Sequence, residues 1–380
     1  MMVIAAPASS RRVAMARPSP PAPPVTTARR PDSVCSCAML PRTLQQSISN
    51  GQRTNVRNSH VLRRGAGAKM QPASKVVILG AGSIGVSFAA VFADAGFSVT
   101  LSEPDEGRRV AAPAGVDAQN KSIALAGLTL GREGTVECVA DPGDALKEAA
   151  LVIEAGPERL DAKQAIFADL LARSGDGTVL ATASSAITMS RILPDPKAQA
   201  RCLVAHPVNP PAVLRLIELV PAPQTLSSTI EMAAALFSAA GFEAVRLGHE
   251  VEGFVLNRLQ GAVLREAYRL VDERVIDVAG LEAVMRLGLG PRWALSGPFE
   301  TAELNTPGGI RAHAARMGPA YKAMGEARGE RGCDWSDDLV TRVEKERRAM
   351  LDAKDLPART AWRARAVARL VAERNRLMED

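Results

Sequence analysis

Short apolar runs alternate with longer amphipathic stretches between residues 74 and 252. Several of the runs are separated by helical patterns such as "DAKQAIFADLLARS". Strands that alternate with helices predict an α/β fold with a doubly wound, mostly parallel sheet covered by helices on both faces. Seven runs have the length and composition of buried strands: "KVVIL" at 75–79, "SVTLS" at 98–102, "ALVIEA" at 150–155, "TVLATAS" at 178–184, "RCLVAH" at 201–206, "LIELV" at 216–220 and "EAVRL" at 243–247.

The pattern changes after Gly253, where strand-like runs end and long helical patterns follow. These include "GFVLNRLQGAVLREAYRLVDERVI", "SDDLVTRVEKERRAMLDA" and "ARTAWRARAVARLVAERNRL". We therefore predict a sheet domain over residues 74–252 and an all-helical C-terminal domain over residues 253–380. Three prolines are expected to break the middle of the helical domain into loops: Pro291, Pro298 and Pro307.

Residues 1–73 have no sustained apolar periodicity. They hold ten arginines and one lysine against a single acidic residue, Asp32. Such a segment cannot offset its ordering entropy by burial, so we predict that it is disordered. We favour a translation start assigned too far upstream, because Met70 opens "MQPASKVVILGAG" just before the first strand. An Arg-rich organellar transit peptide is the alternative.

Charge and composition exclude several classes of protein. The 380-residue chain has a net charge of +6, but residues 1–73 carry +10, which leaves the remainder at −4. With 3% aromatic residues, the sequence offers neither the cationic patch nor the stacking platform expected of a nucleic-acid-binding protein. The uncharged run at 76–93 is interrupted by glycines, so we expect no membrane span. Five scattered cysteines favour a reducing, cytoplasmic location, or an organelle if residues 1–73 are a transit peptide.

The first strand leads into "GAGSIG", a G-x-G-x-x-G turn that opens a helix. In this strand–turn–helix setting the glycines permit a tight turn, close approach of a pyrophosphate and close helix packing. Glu103 ends the second strand, where its carboxylate can accept a ribose hydroxyl and repel a 2′-phosphate. The sheet domain is therefore predicted to be a Rossmann-like domain that binds NAD rather than NADP. The turn residues expected to contact the cofactor are Gly80, Gly82, Ser83, Ile84 and Gly85.

A second charged stretch, "EAGPERLDAK", follows another strand of the same sheet. Loops at the carboxyl ends of the strands line the crevice of a doubly wound fold. Glu158 and Lys163 could therefore reach the nicotinamide end of the cofactor. The spacing fits equally well a charged first helical turn with Lys163 in solvent.

The stretch "RCLVAHPVNPPAVLRLIELV" places His206 at a strand end and Glu218 inside the next apolar run. A carboxylate inside such a run is costly without a partner. If the proline-rich link folds back, Glu218 faces His206, fixes its tautomer and stabilises its protonated form, as a general base requires. A structural, hydrogen-bonded histidine is the alternative.

Together these motifs resemble the 3-hydroxyacyl-CoA dehydrogenase superfamily, and within it the lambda-crystallin branch, whose members act as L-gulonate 3-dehydrogenases. The resemblance runs from about residue 75 to the C-terminus. The motifs that carry it are "GAGSIG" with Glu103, "SSAIT" around Ser185, "AHPVNPP" around His206, "LIELVPAP" around Glu218, "GFVLNRLQ" around Asn257 and "GLGPRWALSGPFETAELN".

The resemblance implies a role for particular residues of this chain. It assigns the catalytic set to Ser185, His206, Glu218 and Asn257, and places Asn209 near the nicotinamide. His206 would take the proton of a 3-hydroxyl while hydride leaves the same carbon, and the mechanism needs no metal. The sequence departs from the family just before the serine, where it reads "TASSAIT". Ser184 therefore competes with Ser185, which we prefer.

The substrate predicted from the resemblance is a small hydroxy acid such as L-gulonate. Family members that use acyl-CoA need cations for its phosphates, and the matching region here, residues 111–139, offers only Lys121 and Arg132. Arg292 could hold a small carboxylate through two hydrogen bonds, or could be structural. The resemblance also implies a homodimer formed through the helical domain. The alternatives are a 3-hydroxyacyl-CoA or 3-hydroxybutyryl-CoA dehydrogenase and a non-catalytic NAD-binding protein of the crystallin kind.

Overall fold

The computed structural model describes residues 74–331 and 336–379, so the predictions for residues 1–73 lie outside the described residues. The described strands form one sheet in the order β3-β2-β1-β4-β5-β6-β7-β8. All neighbours pair in parallel except β6 and β7. The strands are β1 (Lys75–Leu79), β2 (Ser98–Ser102), β3 (Thr135–Val139), β4 (Leu151–Glu154), β5 (Val179–Thr182), β6 (Cys202–Pro207), β7 (Leu216–Pro221) and β8 (Glu243–Arg246).

Helices flank the sheet, and after β8 the described residues form helices and no further strand. This confirms the predicted fold class. The helices of the sheet region are α1 (Ser83–Asp94), α2 (Glu106–Leu125), α3 (Ala145–Glu148), α4 (Leu160–Arg173), α5 (Met189–Ile192) and α6 (Ser227–Ala239). The later helices are α7 (Leu256–Asp272), α8 (Val278–Ala283), α9 (Gly290–Trp293), α10 (Pro298–Leu304), α11 (Gly309–Ala327), α12 (Asp337–Met350) and α13 (Leu356–Glu379). A π-helical stretch, Val284–Leu289, joins α8 to α9.

The core lies on both faces of the sheet because successive side chains of a strand point to opposite faces. Val76 and Ile78 of β1 pack in the cluster that includes α1, α2 and α6. Val77, between them, packs in a second cluster with residues of α3, α4 and α5.

The helices within residues 74–331 and 336–379 include none with the length and apolar character of a membrane span.

Two details differ from the sequence prediction. The strand β3, "TVECV", was missed because its residues are exposed or half-buried at the sheet edge, so they form no continuous apolar run. The predicted interruption of the helical domain occurs before Pro298, which opens α10 after the non-helical residues 294–297, and at Pro307, between α10 and α11. The prediction was wrong for Pro291, which lies in the first turn of α9 directly after the π-helical stretch.

Candidate active site

The turn after β1 is shaped to receive a diphosphate. Gly80 has a φ of 102°, which favours glycine, and a Cβ on Gly85 would overlap the carbonyl oxygen of Gly80. A Cβ on Gly82 would meet no atom within 4 Å. Open space therefore lies over the second glycine, beside the N–H groups of the first turn of α1, and this arrangement fits the diphosphate of a dinucleotide. In that turn Ser83 is exposed and Ile84 is half-buried.

Glu103 lies immediately after β2 and is 3% exposed. Its carboxylate accepts a hydrogen bond from the Ala81 N–H at 3.0 Å, so it stands against the glycine turn. It also accepts one from the Asp105 N–H at 3.1 Å, and Arg108 pairs with it at 3.2 Å. These contacts hold the negative charge at the turn, where a dinucleotide presents its adenosine ribose.

We predict that this charge makes the protein prefer NAD over NADP by on the order of a hundredfold in kcat/KM, because a 2′-phosphate would stand against Glu103. Glu103→Ser should reduce the preference for NAD, because it removes the negative charge and leaves the Arg108 guanidinium beside the 2′-phosphate of NADP. Asp105→Ser removes an exposed carboxylate two residues away and should not reduce it. Initial rates with both coenzymes test this. Comparable wild-type efficiency with NADP would contradict it.

Strand pairing brings His206 and Glu218 together. Strands β6 and β7 are antiparallel, and their register sets the two residues directly opposite each other. His206 Nδ1 lies 2.8 Å from Glu218 Oε2, and the residues are 4% and 3% exposed. An ionised carboxylate can only accept, so Nδ1 carries the proton and Nε2 is left as the basic nitrogen.

Glu218 also joins this pair to the helical domain. Its Oε1 accepts hydrogen bonds from the N–H groups of Val255 and Leu256, both at 3.0 Å, at the start of α7. Burial alone would raise the pKa of the Glu218 carboxyl, but the hydrogen bonds from His206 and the two N–H groups outweigh burial and lower it. The carboxylate therefore stays ionised at neutral pH, beside the imidazole.

Phe254 was not singled out from the sequence. Its φ is 51°, an uncommon conformation for a bulky residue that costs on the order of 1–2 kcal/mol. The side chain is fully buried, and its ring centroid lies 5.3 Å from that of His206. Phe254 thus forms an apolar wall for the imidazole at the junction with α7.

The two serines after β5 differ in their contacts. The Ser184 hydroxyl is buried, donates to Glu158 Oε1 at 2.6 Å and accepts from the Ile187 N–H at 2.8 Å. Ser185 is exposed, and the contacts that the described residues make with it go to its backbone. Ser184 therefore supports the turn, whereas the hydroxyl of Ser185 is available to a ligand.

Asn257, in the first turn of α7, is held against the turn at residues 184–187, which we call the serine turn. Its Nδ2 donates a hydrogen bond of 2.8 Å to the carbonyl oxygen of Ser185. The amide nitrogen has a second hydrogen that this bond does not use. Asn209 lies in the exposed link after β6, and no contact with the other predicted site residues is described for it.

Lys163 does not extend into solvent, so that alternative is wrong. Its side chain is 1% exposed, and Nζ lies 2.8 Å from Glu154 and 3.3 Å from Glu158. The Glu158 side chain is 44% exposed and accepts hydrogen bonds from the serine turn. The Lys163 ammonium thus faces two carboxylates. Glu154 went unnoticed in the sequence, although a charged residue at the end of "ALVIEA" is the signal that could have identified it.

Arg292 is exposed in α9 and lines a different cavity, of about 440 Å³, in the helical domain. The walls are mainly apolar, with Leu289, Trp293 and Phe299 among them. None of the predicted catalytic residues lines this cavity. The structure of one chain therefore does not bring Arg292 to His206.

Among the described residues there is no group of three or more His, Cys, Asp or Glu side chains that could hold a metal ion.

A glycine turn for a diphosphate, a carboxylate at the ribose position and a buried His–Glu pair on one sheet define a dinucleotide-dependent oxidoreductase class. Family comparison agrees. Residues 75–251 match the model of the 3-hydroxyacyl-CoA dehydrogenase NAD binding domain, and residues 253–350 match that of the C-terminal domain. The chain belongs to the 3-hydroxyacyl-CoA dehydrogenase family. It is an NAD-dependent oxidoreductase that acts on a CH–OH group.

Three relatives are similar to this chain over most of its length. A lambda-crystallin homolog of Bos taurus is 36% identical over 313 residues, covering 80% of this chain and 96% of the relative. A 3-hydroxyacyl-CoA dehydrogenase of Gibberella moniliformis is 34% identical, covering 71% and 85%. An L-carnitine dehydrogenase of Streptomyces griseus is 32% identical, covering 80% and 88%. The resemblance to the lambda-crystallin branch is thereby confirmed.

Proposed function

We propose that this protein oxidises the 3-hydroxyl of a small hydroxy acid, similar to L-gulonate, to the 3-keto acid. The observation that carries the proposal is the buried His206–Glu218 pair, with its 2.8 Å contact, beside the turn where Asn257 meets Ser185. A basic nitrogen and two neutral hydrogen-bond donors are the groups that an alcohol needs as it becomes a carbonyl.

His206 Nε2 takes the hydroxyl proton, and Glu218 stabilises the imidazolium that forms. The Ser185 hydroxyl and the free hydrogen of the Asn257 amide donate to the oxygen that becomes the carbonyl. NAD, when bound at the glycine turn, supplies the hydride acceptor. Phe254 limits water around the imidazole, because its ring packs there and is fully buried.

Two observations favour a small acid over an acyl-CoA. In residues 111–139, which match the region where family members hold CoA phosphates, Lys121 is an exposed residue of α2 and Arg132 lies beyond that helix, so few cations are present. One relative is named for L-carnitine, which is itself a small 3-hydroxy acid. The Gibberella relative named for acyl-CoA makes a 3-hydroxyacyl-CoA the second candidate.

We also propose that two copies associate through the helical domain. Large apolar side chains of this domain are 41–75% exposed, and such surfaces usually mark interfaces. No residue of α7 is buried, although the helix is strongly amphipathic. The exposed residues include Leu259, Leu264, Tyr268, Val278, Val284, Leu287, Trp293 and Phe299.

A substrate panel tests the proposed activity. L-gulonate, L-carnitine and (S)-3-hydroxybutyryl-CoA are offered with NAD, and NADH formation is followed by absorbance. We expect kcat/KM for the better small acid to exceed that for the thioester by at least about a hundredfold, since a site with few cations gains little from the CoA phosphates. The His206→Gln protein serves as the background control. A preference for the thioester, or no turnover with either small acid, would overturn the proposal.

A further inference from the structure

A buried ion pair lies next to the serine turn and has no part in the mechanism described above. Glu154 ends β4 and Lys163 lies in the first turns of α4, with side chains that are 0% and 1% exposed. Removing two charges from water is costly, and such a pair is retained at a functional edge only where its geometry is well satisfied. A costly pair at the carboxyl end of the sheet, beside the candidate site, therefore suggests that it contributes to function.

Every oxygen of Glu154 is engaged. Its Oε1 accepts from the Gly156 N–H at 2.8 Å and from Lys163 at 3.1 Å. Its Oε2 accepts from Lys163 at 2.8 Å and from the Thr182 hydroxyl at 2.6 Å. The register of β4 and β5 sets Glu154 opposite Thr182. Glu154 thus joins the ends of two strands and one helix.

Two routes run from this pair to the serine turn. Through the first, Lys163 holds Glu158 Oε2 at 3.3 Å, while Glu158 Oε1 accepts from the Ser184 hydroxyl and from the N–H groups of Ser185 and Ala186 at 2.6, 3.0 and 3.2 Å.

Through the second route, the Thr182 hydroxyl, which donates to Glu154, accepts from the Ser184 N–H at 3.2 Å.

Burial alone would raise the pKa of Glu158, but the Ser184 hydrogen bond and the charge of Lys163 lower it. Glu158 therefore remains an anion that gathers three donors of the turn.

We propose that Glu154 and Lys163 are positioning residues, which orient the Ser185 hydroxyl toward the reacting oxygen by fixing Glu158 and Thr182. The inference rests on the proposed role of Ser185. Neither residue touches the substrate. They act on the rate through the serine turn, because a hydroxyl displaced by about 1 Å can cost on the order of a hundredfold in rate.

The test is a double-mutant cycle of Glu154→Gln with Ser185→Ala. Glu154→Gln is expected to lower kcat by about 10- to 100-fold in the wild-type background and by less than about threefold in the Ser185→Ala background, because its effect passes through that hydroxyl. The dissociation constant of NADH, from fluorescence titration, should stay within about threefold of wild type, since the glycine turn is untouched.

Glu303→Gln is the matched control. Glu303 is also a fully buried carboxylate, paired with Arg347 at 2.8 Å in the helical domain, so its loss should lower thermal stability and leave kcat per folded molecule unchanged. If Glu154→Gln does not fold, Thr182→Val enters the same cycle, with non-additivity again expected. Equal fold losses in both Ser185 backgrounds, or an unchanged kcat in Glu154→Gln, would overturn the positioning role. An unchanged kcat in Ser185→Ala alone would instead refute the proposed function of that serine.

Discussion

Replacing His206 with glutamine is expected to lower kcat by about two to four orders of magnitude, the usual contribution of a general base. Glutamine has a similar reach and can still donate a hydrogen bond to Glu218, so the buried carboxylate keeps a partner. The protein should therefore fold and bind NADH as before. Steady-state rates with the best hydroxy acid and fluorescence titration of NADH measure the two properties separately.

Glu218→Gln should act on the same step. Without the negative charge, the imidazolium that forms in the transition state loses its support, so kcat should fall by roughly ten- to a hundredfold. In the double mutant the two losses should be far from additive, because the residues work as one unit.

His313→Gln is the control for the loss of a hydrogen-bonded imidazole. His313 Nδ1 lies 3.1 Å from the Thr306 hydroxyl in the helical domain, and its replacement should leave kcat within about twofold, as is usual away from a site. A structural His–Glu pair would make a different prediction, in which activity follows the folded fraction. A folded His206→Gln protein that binds NADH and turns over within a few-fold of wild type would refute the proposed mechanism.

Gly85→Ala should lower stability, whereas Gly82→Ala should weaken NADH binding, although the added methyl group is the same and the positions are three residues apart. At Gly85 the new methyl group would overlap the Gly80 carbonyl, so the turn must shift and stability should fall by about 3 kcal/mol or more. At Gly82 the backbone has φ −73° and the Cβ meets no atom within 4 Å. Stability there should stay within about 0.5 kcal/mol, while NADH binding weakens at least about tenfold because the methyl group occupies the space of the pyrophosphate.

Thermal unfolding and NADH titration of the two variants separate these effects. Each variant is the control for the other, because the added group is identical. If Gly82→Ala bound NADH as tightly as wild type, the diphosphate would not approach the backbone at this glycine. If Gly85→Ala were as stable as wild type, the close contact between the turn and α1 would not be a constraint on the fold.

Most of the fold could be predicted because its signals are local. The runs that became β1, β4 and β5 are largely buried and mostly apolar, and the glycine turn after β1 has its own spacing. The edge strand β3 lacked such a signal. It is held by pairing with β2 rather than by burial, and pairing between distant segments leaves no local pattern.

The candidate site was predictable where a residue is chemically out of place. Glu218 inside an apolar run needed a partner, and His206 at a strand end was available to supply one. The choice between Ser184 and Ser185 was open in the sequence, since adjacent serines have the same chemistry. Their burial and contacts in the folded turn separate them.

The sequence by itself determined the class of fold, the NAD turn with its Glu103 carboxylate, and the residue types of the chemistry, because each depends on spacing within one short segment. Only the tertiary structure decided that Glu218 also holds the start of α7 and that Lys163 is buried between two carboxylates. These contacts join residues from different strands and helices. Their distances follow from how the sheet and helices pack, which no single stretch of sequence encodes.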